Sequence, residues 1–198
     1  MNAPARDPYP RPRLLQEQVA FLEGEGAMDV MSLRLPYIFG LVAGQRPLWQ
    51  FVLDRIAAGT GPVAVLGGTT SAVTARQVAQ AAVGAMENGT HGTAYPINGY
   101  DLSYVELNQI ACRLLGRDPE DVKVVPLEAV LPAYEAVDAQ TAAAGLEHGA
   151  PVVHTAYFQS REAVSDPAET AVLGVRPDDI PAAVEESLRW CVENPVEA

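Results

Sequence analysis

Strand-like and helix-like segments alternate along this 198-residue chain, and that alternation predicts an α/β fold. Two further observations carry the reading. Val30 to Phe39 is a mostly apolar, β-rich run broken in character only by Arg34, as in a strand covered on both faces by helices. Ser103 stands three residues before Glu106 and is followed by the Leu107, Ile110, Ala111, Leu114 stripe, the capping-box arrangement of an amphipathic helix.

Taken in order, residues 1–12 read as a flexible proline-rich leader: Pro4, Pro8, Pro10 and Pro12 each lack an N–H and restrict the residue before them. Residues 13–198 form the folded region. Leu14, Leu15, Val19, Phe21 and Leu22 support a helix from Arg13 to Glu23 that ends near Gly24 and Gly26. After the Val30–Phe39 strand, Leu48, Phe51, Val52 and Ile56 predict a helix over Pro47 to Ala58, with Pro47 in the first turn and Gly59 at the end. PVAVLGG makes a short strand and turn. Thr74 precedes a helix whose stripe is Val78, Ala79, Ala82, Val83 and Met86, closed by Asn88-Gly89. TAYPING, residues 93–99, is a candidate strand. VKVVPL reads as a strand, LEAVLPAYEAVDAQTAAAGL as a helix or helix pair interrupted near Pro132, and PVVHTAYF as an extended piece. A last helix runs from Ile180 to Glu193, presenting Ile180, Ala183, Val184, Leu188 and Cys191, with Pro195 beyond it.

Hydrophobic residues make up 48% of the chain, enough to fill a core. The 25 acidic against 13 basic residues give a formal charge of -12, which argues against nucleic acid and anionic membrane as partners. Cys112 and Cys191 fall in amphipathic helices with no partner at metal-ligand spacing and read as buried thiols in a reducing compartment. His91, His148 and His154 form no paired metal-ligand spacing. No apolar run reaches the roughly 18 residues needed to cross a bilayer, and MNAPARDPYPRPR has no hydrophobic signal core, so the expected location is cytoplasmic.

LRLPYIFG at 33–40, RQVAQAAVGAMENG at 76–89, GTAYPINGYDLSYVELNQIACRLLGR at 92–117 and DPAETAVLGVRPDDIPAAVEESLRWCVEN at 166–194 carry a family likeness. In their order and spacing they resemble the C-terminal portion of an extended short-chain dehydrogenase/reductase, the NAD-dependent epimerase/dehydratase family. The resemblance covers roughly residues 9–194 and implies the last strands of a Rossmann-like domain with a small substrate-binding lobe. It also implies NAD or NADP as cofactor and a small substrate, sugar-like or a ketone or alcohol. The family's glycine-rich strand-to-helix turn has no counterpart, because Gly67-Gly68 are followed by no third glycine at the required place. The chain therefore reads as N-terminally truncated, with weak or no cofactor binding of its own.

The resemblance maps the family's catalytic Tyr-x-x-x-Lys onto Tyr9-Pro-Arg-Pro-Arg13, with Tyr9 as acid/base and Arg13 supplying the positive charge that lowers a phenol pKa. Glu17 stands where a helical position of that motif follows. Arg34-Leu35 replaces the usual Arg-Pro, and Gln77 replaces an aspartate able to pair with Arg34. Arg34, inside an apolar strand, calls for a buried ion-pair partner or a substrate. Arg46 and Trp49 occupy the family's substrate side, where Arg46 meets an anionic or sugar-like ligand and Trp49 stacks on it; packing is the alternative for Trp49. Tyr95, Asn98, Tyr100 and Tyr104 cluster around a strand end and helix cap. Two functions follow: an epimerase/dehydratase-like oxidoreductase completed by its cofactor-binding half, or a non-catalytic interaction domain completed by a partner chain or by self-association.

Overall fold

The apolar run from Val30 makes two short strands rather than one. In the computed structural model, which describes residues 10–146 and 149–195, β1 (Ser32–Arg34) and β2 (Tyr37–Phe39) are separated by Leu35 and Pro36. Pro36 has no N–H for a ladder, and the chain leaves one sheet there and enters another. β1 pairs in parallel with β5 (Ala94–Pro96), whereas β2 pairs in parallel with β4 (Thr69–Thr74). Burial on both faces is corrected accordingly: Arg34 and Ile38 are exposed, and of these six strand residues only Phe39 is buried.

β4 is the centre of the larger sheet, in a stretch that the sequence reading leaves unassigned between the Gly67-Gly68 turn and the helix after Thr74. Its β-branched residues suit a pleated ladder. β2 and β8 (Glu162–Ala163) share one edge of β4, both parallel to it, and β6 (Tyr100–Ser103) runs antiparallel along the other. A third pair joins β3 (Val63–Val65) to β7 (Val122–Val124). Side chains on β4 alternate between two cores. Ala72 faces the larger one with Phe39, Ile56, Ile110 and Leu188, and Val73 faces the smaller one with Ala81, Tyr95, Ile97 and Leu173.

Helix α1 (Pro10–Gly24) begins three residues before its expected start. Prolines are tolerated there because the first four N–H groups of a helix have no intrahelical acceptor. α2 (Gln50–Ala57) is shorter than expected, with Leu48 and Trp49 in the turn before it and Pro47 ahead of that turn. α3 (Ala75–Asn88) opens on a full capping box: Thr74 Oγ1 accepts from the Gln77 N–H at 3.1 Å, and Gln77 Oε1 accepts from the Thr74 N–H at 3.1 Å. α4 (Tyr104–Leu114) closes only half of the expected box. Ser103 caps the Glu106 N–H, while the Glu106 carboxylate accepts the Tyr100 hydroxyl at 3.0 and 3.1 Å.

A single 3-10 turn (Pro119–Asp121) precedes β7, and α5 (Leu127–Ala143) continues through Pro132. PVVHTAYF is α6 (Val152–Gln159), a helix and not the extended piece its β-branched residues indicate. Asp138 on α5 settles the outcome, its two carboxylate oxygens accepting from the Val152 and Val153 N–H groups at 2.9 and 3.0 Å. A carboxylate from another helix thus caps this N-terminus and complements its dipole. After α7 (Pro167–Ala171), α8 (Ile180–Glu193) coincides with its expected span, capped by Asp179 and burying Ile180, Val184, Leu188 and Cys191.

A candidate substrate cleft where the sheets meet

The change of sheet at Pro36 opens a cleft of about 700 Å³. Its walls include Arg34, Pro36, Tyr37, Thr70, Ser71 and His154. A smaller cavity of about 260 Å³ adjoins it inside the lobe formed by α2, α4, α5 and α6, and Tyr37 and Thr155 belong to both walls. Tyr37 is held in this shared wall by an aromatic cluster. Trp49 stacks on Phe39 with centroids 4.3 Å apart, lies 5.0 Å from Tyr37, and donates its indole N–H to the Ile38 carbonyl at 3.1 Å. The Tyr104 hydroxyl donates to that of Tyr37 at 3.4 Å. Burial, and then the neighbouring Tyr37, push the Tyr104 phenol pKa up, so it stays a neutral donor through the physiological range.

Tyr9 lies outside the described residues. Arg13 is on the exposed face of α1, where Nη1 donates to Gln16 Oε1 at 3.2 Å. The partner sought for Arg34 is Glu17, one turn after Arg13: Arg34 donates to its two oxygens at 3.0 and 2.6 Å. The Arg34 hydrogen bonds hold the Glu17 carboxyl below the usual carboxylate range. Glu17 is the buried member of this pair, its side chain 8% exposed against 52% for Arg34. Gln77 takes no part in it; besides capping α3, its amide donates to the Arg176 carbonyl at 3.0 Å.

Of the two residues expected on the substrate side, Trp49 lines the inner cavity and Arg46 does not. Arg46 donates to Gln50 at 3.3 Å and to the Asn194 carbonyl, and its guanidinium sits 5.1 Å from the centroid of Trp190. The inner cavity instead presents Arg55, which sequence reasoning passed over. It stands three residues after Val52, so a helical wheel places it beside the inward stripe of α2. Arg55 donates to the Ala64 carbonyl at 3.3 Å and to Asn108 Oδ1, and burial pushes its pKa down. Asn108 is itself oriented by donating to the Tyr104 carbonyl at 2.7 Å. Arg117 fixes the end of α2 by donating to the carbonyls of Ile56 and Gly59 at 2.8 and 2.9 Å, and to that of Gly61.

A pyrophosphate cradle needs backbone N–H groups free to turn toward the ligand at a strand-to-helix turn. Gly67-Gly68 does not provide one. A strand follows them, and a Cβ on Gly68 would lie 2.3 Å from the carbonyls of Gln159 and Arg161, so this glycine serves the close approach of the segment after α6. The Gly68 N–H is taken by the Gln159 carbonyl at 3.0 Å. The residues described here do not fit a complete dinucleotide site.

Parallel strand pairs, a strand run divided between two sheets and helices packed around them make a mixed α/β arrangement of Rossmann-like character. No protein-family model and no curated protein sequence matches the chain. Solved structures do. The protein gox2253 is matched with a TM-score of 0.63 at 20% identity, over 91% of this chain and 54% of that one. The dTDP-glucose 4,6-dehydratase of Bacillus anthracis, solved with NAD, is matched with a TM-score of 0.59 at 15% identity, over 94% of this chain and 52% of that one. The UDP-N-acetylglucosamine 4-epimerase of Bacillus cereus is matched with a TM-score of 0.58 at 12% identity, over 96% and 55%. This chain thus spans about half the length of each. At these identities the likeness is one of fold.

Proposed function

We propose that this chain is the substrate-side portion of an NAD(P)-dependent oxidoreductase of epimerase/dehydratase type, acting on an alcohol or ketone carbon of a small polar substrate. One observation carries the reading: more than nine-tenths of the chain follows the fold of such enzymes, including one solved with NAD, while spanning about half of their length. The cleft at Pro36 supports it, because it opens where the parallel β1–β5 pair meets the lobe. In this reading the cofactor, NAD or NADP, is held mainly by residues other than those described. The chain's own residues bind and orient the substrate. Tyr9 acts as proton donor or acceptor beside Arg13, supported by its place next to Pro10, which lines the cleft. Trp49 forms the substrate wall. Arg46 is supported as a substrate contact only by its place just before α2, since its guanidinium is engaged elsewhere.

No helix among the described residues is long and apolar enough to cross a membrane. A cytoplasmic location belongs to the proposal and is supported by two buried, unpaired cysteines. A second reading, an interaction domain covered by a partner or by another copy, is favoured by α1, where Leu15, Val19 and Leu22 form an exposed stripe at helical spacing.

Calorimetric titration of the purified chain with NAD(H) and NADP(H), alongside saturation-transfer NMR with small secondary alcohols and ketones, tests the first reading. Weak or absent cofactor binding with selective contact of an alcohol or ketone is the expected result. Saturable cofactor binding by the chain alone overturns the assignment of this chain to the substrate side.

A further inference from the structure

Cleft and inner cavity share two hydroxyl side chains, and the protons of the two go to different places. Thr155 donates its proton to the Pro151 carbonyl at 3.3 Å. Tyr37 accepts from Tyr104, and no acceptor among the described residues takes the Tyr37 proton. We infer that Tyr37 is the residue that positions the substrate in the cleft, donating its phenolic O–H to a neutral acceptor oxygen, a carbonyl or an alcohol. The inference deepens the reading of the cleft as a substrate site and rests on it. Tyr37 holds that oxygen in place and keeps its own proton.

Three physical arguments lead there. The first is direction: with a lone pair of its oxygen taken by Tyr104, Tyr37 has a proton left to give. At 3.4 Å that link is slack for a pair of hydroxyls. An acceptor on Tyr37 makes the phenol oxygen more negative and draws Tyr104 closer, so ligand and relay strengthen each other. The second is rigidity. Pro36 fixes the backbone before Tyr37, Trp49 packs 5.0 Å from its ring and Tyr104 meets it edge-on at 6.2 Å. Trp49 is itself anchored, by stacking on Phe39 and by the Ile38 carbonyl. A donor held in this way loses little freedom when a ligand arrives.

The third argument is charge, and it selects the ligand. Burial keeps the Tyr104 phenol neutral, so the relay carries no charge of its own. Arg34, a cation on the cleft wall, is already matched by the Glu17 carboxylate. Leu35, Pro36, Ile97 and Phe158 make much of the remaining wall apolar. A neutral oxygen on a small carbon skeleton suits such a place, where an unpaired anion would be costly. The cleft, at about 700 Å³, is of the roughly 300–1,000 Å³ size that encloses small molecules.

NMR titration of the full chain with cyclohexanone and with methylenecyclohexane, a probe of the same shape that lacks the acceptor oxygen, tests the assignment. Tyr37→Phe removes only the hydroxyl. It is expected to weaken the ketone about tenfold and to leave the alkene unchanged. A ketone loss of less than about threefold, or an equal loss of both probes, overturns the role of Tyr37 and leaves the cleft reading standing. Absence of ketone binding by the wild-type chain overturns the substrate reading together with the inference. Should Tyr37→Phe fail to fold, fluorotyrosine placed at position 37 keeps the hydroxyl and reports by fluorine NMR. The ketone is expected to move its resonance and the alkene to leave it in place; equal or absent shifts overturn the inference.

Discussion

Glu17 and Arg34 unite helix and strand through one bidentate contact. Because Arg34 is half exposed, solvent screens the pair and its contribution is about 1 kcal/mol. Glu17→Gln should lower the melting temperature by roughly 2–4 °C at neutral pH. The pH dependence has a definite sign. The folded-state pKa of Glu17 is depressed, so its contribution is complete above the unfolded value of about 4.3 and is lost as pH falls through the folded value. Wild-type and Glu17→Gln melting curves should therefore converge in acid, and a constant difference down to pH 3 would rule out this origin. Arg34 was legible as a residue needing a partner, because an arginine in an apolar run is anomalous on its face. Arg55 was not: an arginine at the flank of an amphipathic helix looks like ordinary surface, and only the tertiary fold sets residues of α5 and α6 around the cavity it lines.

At the scale of elements, two substitutions separate local propensity from packing. Gly84 lies inside α3, where alanine ordinarily stabilises by about 1 kcal/mol. A Cβ at Gly84 would come within 1.8 Å of the Leu173 carbonyl oxygen, and its carbonyl carbon lies only 2.6 Å away. Gly84→Ala should therefore destabilise, by about 1–3 kcal/mol, and denaturant unfolding gives the sign. Asp138→Ala removes the cap of α6 and should cost about 1 kcal/mol, with loss of hydrogen-exchange protection concentrated in α6 and in the cavity wall it forms. Helices with their start signals in sequence were legible to within a few residues, as α4 and α8 show. α6 was misread because its cap arrives from Asp138, fourteen residues upstream. β4 was not legible because a short hydroxyl-rich run shows no clear apolar alternation, and only its place between two cores makes it the central strand.

At the scale of the whole molecule, the α/β class and the family likeness were both readable from the order of blocks along the chain. The division into two cores was not, since it depends on which neighbours each face of β4 meets. Helix α1 is largely uncovered among the described residues, with Leu15 57%, Val19 57% and Leu22 68% exposed. A contiguous apolar stripe of this kind drives association in water. The purified chain should sediment above its monomer mass of 21.1 kDa, and the double substitution Leu15→Glu, Leu22→Glu should return it to that mass. A wild-type chain that sediments as a monomer at high micromolar concentration would remove the support for self-association.

The Leu35-Pro36 link gives the molecule a mechanical property. Arg34 and Tyr37 are three residues apart, a span of at most about 11 Å, and the proline ring stiffens it. Such a tether has almost no slack. β1 pairs only with β5 among the described residues and carries α1 beside it through the Glu17–Arg34 contact. Tyr37, the wall shared by cleft and cavity, is therefore held within this short reach of β1. The position of one cavity wall is thus set from the neighbouring sheet rather than from the lobe alone.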